Sequence, residues 1–275
     1  MKDFLKVKGL LRPAYAKINR TLEVYGLRDD GFHELRSIVQ AIALADILSF
    51  DTTDDGEVTS DTGYGEKDLI VRAAKALRFA AGAAFATRGA RVRVTKRIPA
   101  GGGLGGGSAD AAATLRALNE LWGCGLPPAV LAEVGAEVGS DIPALVLAQH
   151  YRVPVLMEGR GERVRLLAPV LAPGAALVLA FPDVFSSTAE VYARCVPRDA
   201  ATQTDVLNDL EAPACALHPE IAAALDALRA AGADAVRMSG SGSTVFGLAA
   251  DATSAQEIVK RLAAGGLSAC VATAI

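Results

Sequence analysis

Apolar and polar side chains alternate along residues 12 to 28, RPAYAKINRTLEVYGLR, with the period of two that a half-buried strand requires. DDGFHE interrupts the rhythm as a turn, and LRSIVQAIALADILSFD resumes it as further strand. Residues 66 to 87 are rich in alanine and shift to helical spacing; ARVRVTKRIP then alternates again and leads into a run of glycines. Beyond the glycines, Ala112, Leu115, Leu118, Leu121 and Trp122 fall on one face of a helix predicted over residues 109 to 122. Gly123 and Gly125 end it, and Pro127-Pro128 keep it from resuming. A second helix is predicted over about 128 to 138 and a third from near Asp141.

After residue 153 the texture changes. RVRLLAP, ALVLAFP and AVRMSGSGSTVFGLAA read as strands, and PEIAAALDALRAAG and SAQEIVKRLAAGG as helices. The change places a domain boundary within 150 to 160, drawn as residues 1–153 and 154–275. A chain of 275 residues with 51% hydrophobic content can bury a core in each. A net charge of −3 offers no basic field, so no nucleic-acid partner is expected. Pro, Gly or polar residues break every apolar stretch short of the ~20 residues a membrane span needs. Residues 1 to 13 have positive charges but no sustained apolar segment, so neither a signal peptide nor a membrane partner is expected. Cys124, Cys195, Cys215 and Cys270 form no CxxC pair, and His33, His150 and His218 no HxxxH. No protein metal site is expected, and free thiols suit a cytoplasmic location.

The chemistry concentrates in residues 97 to 108, RIPAGGGLGGGS, where six of seven consecutive positions are glycine. Glycines leading into a helix expose backbone N–H groups beside the positive end of the helix dipole, which suits phosphate oxygens. Walker A needs a lysine after the last glycine, and none follows Gly107. Gly101, Gly103 and Gly106 match GxGxxG formally, but helices rather than a second strand follow, so a dinucleotide fold is disfavoured. Ser108 is placed to cap the helix, with its hydroxyl in reach of a phosphate or a magnesium ion. A linker or tight corner is the bland alternative, but a strand and a helix bracket the run.

PAGGGLGGGSADAA after a strand resembles the phosphate loop of the GHMP kinases, a group of small-molecule kinases. PAYAKIN (13 to 19), DDGFHEL (29 to 35) and MSGSGSTVFG (238 to 247) extend the resemblance along nearly the whole chain. The resemblance implies an α+β fold of two domains, with a left-handed βαβ crossover in the first and the active site in the cleft between them. It implies ATP, carrying Mg2+, bound by Lys96, Pro99, Ala100, Gly101, Gly102, Gly103, Leu104, Gly105, Gly106, Gly107, Ser108 and Ala109. AKIN together with DGFHEL resembles the branch of the family whose alcohol acceptor is a cytidine-diphosphate-linked methylerythritol, used in the non-mevalonate isoprenoid route. A monomer or weak homodimer is expected.

Role by role, ordinary readings compete with functional ones. Asp141, ahead of Ile-Pro and an apolar run, reads as a helix N-cap as readily as a catalytic group; the resemblance makes it the base that accepts the hydroxyl proton. Lys17 reads as a solvent-facing strand residue; the resemblance makes it the catalytic lysine. Asn19, two positions on, shares its strand face and could hydrogen-bond the acceptor. Phe32 and His33, a loop pair by ordinary reading, are implied to stack on and hydrogen-bond cytosine. Tyr192 is the candidate for the other side of the stack, with Phe185 as its rival. Asp68 stands where family members usually carry Asn near adenine, which removes an amide donor. The 239 to 242 turn is expected to line the cleft, and Asn208-Asp209-Leu210-Glu211 has no chemical role readable from residues. Lys17 with Asp141 weighs against a non-catalytic nucleotide sensor on the same scaffold, and Phe32-His33 against acceptors without a nucleobase.

Overall fold

Two long antiparallel strands, β1 (Leu10–Leu27) and β2 (His33–Thr53), carry the first half of the molecule, joined by the turn read from DDGF. The computed structural model describes residues 9–169, 171–199 and 207–275. The signal-peptide reading of the first eight residues lies outside them. Strands β3 (Val58–Ser60) and β4 (Gly89–Thr95) are parallel and are joined through α1 (Leu69–Ala81), a βαβ unit. Then come α2 (Gly106–Leu121), α3 (Pro128–Ala136) and α4 (Ile142–Tyr151). Next are β5 (Val155–Gly159), β6 (Arg163–Leu166), β7 (Ala176–Phe181) and α5 (Thr188–Arg194). The chain closes with α6 (Glu211–Leu217), α7 (Pro219–Ala230), β8 (Asp234–Met238), β9 (Val245–Leu248), α8 (Ala252–Ala264) and β10 (Ser268–Thr273).

The first sheet runs β3-β4-β2-β5-β6, with β1 paired to β2 off that path; the second runs β10-β7-β9-β8. Helices cover the inner face of each, and the apolar stripe of α2 buries Ala112, Leu115 and Leu118 against β1. Truncating one such leucine to alanine would cost about 2–5 kcal/mol.

The first sheet reaches past the boundary expected at 153/154. β5 pairs with β2, Leu35 opposite Gly159 and Val39 opposite Val155, and β6 pairs with β5. Val155, Leu156 and Met157 are all buried, so this segment belongs to the first core, and the second sheet begins only at β7. The helix read over 66 to 87 is also shorter than expected: α1 stops at Ala81, where Gly82 takes a φ of +96°.

The two sheets are tied by the chain's returns. Ala274 bridges Ile42, and Gln40 Nε2 donates to Ile275 O at 3.0 Å. Asn208 bridges Leu22 and donates from Nδ2 to Met238 O and Gly240 O, both at 2.9 Å, while its Oδ1 accepts from Leu210 N–H. Asp209 accepts from Val24 N–H and forms a two-point pair with Arg198 at 2.6 and 2.7 Å. The motif without a readable chemical role is thus a latch between β1 and the 238–241 turn. Asn208→Ala would leave two buried carbonyls unpaired, and urea denaturation is expected to show a loss of about 2–4 kcal/mol.

Candidate active site

Between the two sheets lies a cleft of about 1180 Å³. That exceeds the upper end of single-ligand pockets, roughly 1000 Å³, and suits two ligands side by side. Its floor is the glycine loop that follows β4.

The loop is built so that its donors face the cleft and its acceptors face the protein. Gly101, Gly103 and Gly105 have φ of +69°, +70° and +69°, a region that side-chain-bearing residues avoid. A Cβ on Gly103 would sit 2.1 Å from Ser239 O, so the 239–242 turn can close on the loop only with glycine there. Gly103 O accepts from Lys17 Nζ at 2.8 Å and from Ser239 Oγ at 3.0 Å; Gly102 O and Leu104 O accept from Thr244 N–H and Lys17 N–H. From Gly103 to Ser108, no backbone N–H donates to a group outside the helix among the described residues. These amides, at the positive end of the α2 dipole, form an anion cradle.

Two expectations about this segment are corrected. Helix α2 begins at Gly106, not 109, so Gly105 is its N-cap; Ser108 lies in the first turn, and its hydroxyl has no partner among the described residues. Ala109 does not line the cleft: it is 0% exposed in the core, and its N–H already donates to Gly105 O at 2.8 Å. The other positions expected for the nucleotide, Lys96 and Pro99 through Ser108, all line the cleft.

Lys17 is not the solvent-facing residue its strand position suggests. It is 3% exposed, because the glycine loop covers the outer face of β1 where bulges interrupt the β1–β2 register on both sides of residues 17 to 19. Its Nζ donates to Asn19 Oδ1 at 2.5 Å and to Gly103 O, and lies 3.7 Å from Asp141 Oδ2. Asn19 is held in turn, its Nδ2 donating to Ser37 Oγ at 2.7 Å. One bond at each end of that amide orients Lys17, and Asn19 itself lines the cleft with the second N–H of its amide not used by Ser37. Asp141 occupies the N-cap position of α4, yet its side chain caps nothing and points to Lys17. The capping reading therefore fails, and a carboxylate is left partly exposed in the cleft beside a buried ammonium.

At the other end stand the rings. Phe32 and His33 line the cleft, with Phe32 47% exposed. Tyr192 also lines it, with its ring 5.2 Å from that of His33. Burial pushes the Tyr192 phenol well above its ordinary pKa, so it stays protonated. Phe185 lies outside this cleft, on the far side of the loop against Gly101, which removes it as the rival.

Lys96 donates to Asp46 at 2.5 Å and to Asp110 at 2.8 Å. Burial opposes its charge, but hydrogen bonds to Asp110 and Asp46 prevail and raise its pKa. Asp110 was not anticipated, although an isolated acid in the alanine-rich face of α2 is a visible anomaly. Burial outweighs the Lys96 hydrogen bond and charge and lifts Asp110 to about 7, and its Oδ1 is buried without a partner. Asp68 is the N-cap of α1, accepting from Ile70 N–H at 2.9 Å and from the Ser60 and Thr62 hydroxyls. Its carboxylate is committed to that helix start.

The model of the GHMP kinases N terminal domain matches residues 68–149, and that of the GHMP kinases C terminal domain matches residues 198–266. A 4-diphosphocytidyl-2-C-methyl-D-erythritol kinase of Cupriavidus necator is 41% identical, over 91% of this chain and 88% of its own. This chain belongs to the GHMP kinase family. A kinase of the same name from Moorella thermoacetica is 40% identical, over 92% of this chain and 94% of its own. The crystal structure of a 4-(cytidine 5'-diphospho)-2C-methyl-D-erythritol kinase superposes with a TM-score of 0.80 at 34% identity, covering 96% of this chain and 99% of that one. Methanococcus jannaschii mevalonate kinase, with a TM-score of 0.72 and 13% identity over 98% of this chain and 100% of its own, shares the fold. The two-domain α+β architecture is thus that of the GHMP kinases, and ATP is the substrate such kinases share.

Asp110 gives a pH prediction. With a folded pKa near 7 against an ordinary 3.8, the native state keeps a proton that the unfolded chain has released, so stability falls as pH rises between those values. Between about pH 5 and about pH 8, chemical denaturation is expected to show the wild type losing on the order of 2–3 kcal/mol more stability than Asp110→Asn, which lacks the titration.

Proposed function

We propose that this chain transfers the terminal phosphoryl group of ATP to the 2-hydroxyl of 4-diphosphocytidyl-2-C-methyl-D-erythritol. One observation carries the reading: a single cleft holds an anion cradle on its floor, a ring wall at one end, and the Lys17–Asp141 pair between them. The names of the curated relatives and of the 34% identical structure support the same acceptor.

The chemistry follows from the placement of groups. The backbone amides from Gly101 to Ser108 hold the phosphates of ATP in line with the acceptor hydroxyl. The hydroxyl oxygen forms a bond to the γ-phosphorus as the bond from that phosphorus to the β–γ bridging oxygen breaks, and ADP leaves. Asp141 accepts the hydroxyl proton, late in a loose transition state that asks mainly for position and charge stabilisation. Lys17, oriented by Asn19 and Gly103 O, faces both the carboxylate and the oxygens gaining charge. Phe32 and Tyr192 stack on the cytosine and His33 hydrogen-bonds it. Ser108, with its hydroxyl free in the cleft, would help to hold the Mg2+ carried by ATP, and that ion would neutralise phosphate charge.

A coupled kinase assay across alcohol acceptors tests the substrate. Turnover is expected with the cytidylated diol and not with homoserine or mevalonate; equal rates with the latter two would reject the acceptor. Asp141→Asn is expected to lower kcat by about 10²–10⁴-fold with the Kd for ATP within about twofold, and a wild-type rate would remove Asp141 as the base.

A further inference from the structure

Arg160 follows β5 and leans over Phe32, its guanidinium carbon 5.3 Å from the ring centroid. It lines the cleft at the ring wall. Most charges around it are already matched. Arg28 pairs with Asp30, Glu34 and Glu162, and Arg163 with Glu34 at 2.6 Å. Lys17 faces Asp141, and Lys96 is shared by two carboxylates. The guanidinium of Arg160 forms no ion pair among the described residues; what reaches Glu162 is its backbone N–H, at 2.7 Å. Asp30 feels the charge of Arg160 only after its hydrogen bond from Phe32 N–H and its contacts with Arg28. Lys67, also without an ion pair among the described residues, lines the cleft next to Asp68 in the chain.

A cation without a counter-ion at the lip of a binding wall is matched by an anionic ligand. Guanidinium suits the position because its flat face stacks on an aromatic ring while its edge N–H groups take phosphate oxygens. We propose that Arg160 is a substrate-binding residue of this chain, holding the diphosphate bridge of the acceptor from its place over Phe32. The inference rests on the acceptor proposed above and adds the group that recognises its charge.

Calorimetric binding of CDP and of cytidine to wild type, Arg160→Gln and Arg160→Lys separates the possibilities. Arg160→Gln is expected to weaken CDP by about 10- to 100-fold and cytidine by less than about twofold, with Arg160→Lys recovering only part of the CDP loss. In turnover, the acceptor KM should rise by a similar factor while kcat and the KM for ATP hold. Equal losses for CDP and cytidine would reduce Arg160 to a support for Phe32, and no loss for either would make it a surface residue; both overturn the proposal. A wild type that binds CDP but does not phosphorylate the cytidylated diol would instead reject the acceptor, and the CDP-to-cytidine ratio would still decide the role of Arg160.

Discussion

The carbonyl of Gly103 organises the site. It accepts from Lys17 Nζ on β1 and from Ser239 Oγ on the turn between β8 and β9, so one oxygen joins three segments that are remote in sequence. Turning this peptide toward the protein leaves the loop's amides facing the cleft. The constraint is steric as well as electrostatic, since neither the backbone angle nor the 2.1 Å approach of Ser239 O tolerates a Cβ at Gly103.

Charge is arranged around that anchor with little surplus. Lys17 is buried yet keeps its protons occupied by Asn19 Oδ1 and Gly103 O, which offsets the cost of removing an ammonium from water. Its distance of 3.7 Å from Asp141 is long for an ion pair, and the aspartate stays partly exposed, which leaves the carboxylate free to meet a ligand. At the nucleotide end two carboxylates share Lys96, and burial, against the pull of that lysine, raises the pKa of Asp110. The cradle therefore relies on backbone dipoles rather than on the charge of Lys96 for its attraction to phosphate.

Motifs were more legible than neighbours. The glycine loop, the ring pair, Lys17 and Asp141 could be read because each depends on residue type at a short spacing, and all of them line one cleft. The readings that failed were those that required knowing what covers a residue. Alternation marked Lys17 as outward, and it is outward from the core of its own sheet, but the loop closes over that face. Ser108 read as a cap because helix α2 was started three residues late: glycines carry no helical signal, yet here they form its first turn. Ala109 was assigned with its neighbours, although a helical N–H already bonded to Gly105 O has nothing left to offer a ligand. β5 looked like the start of a new domain because a short apolar run does not reveal which sheet it joins.

By itself the sequence determined the local order of strands and helices, the loop that must be glycine, and the kinds of side chain available for chemistry. Periodicity and turn preferences act over a few residues, and that is the range over which they are informative. Tertiary structure alone decided which groups meet: Lys17 with Gly103 and Asp141, Asn208 with the 238–241 turn, Lys96 with Asp46 and Asp110, and Arg160 with Phe32. Those partners are set by how two sheets pack and where the chain returns. Burial and hydrogen bonding across such distances depend on the whole fold, not on any window of it.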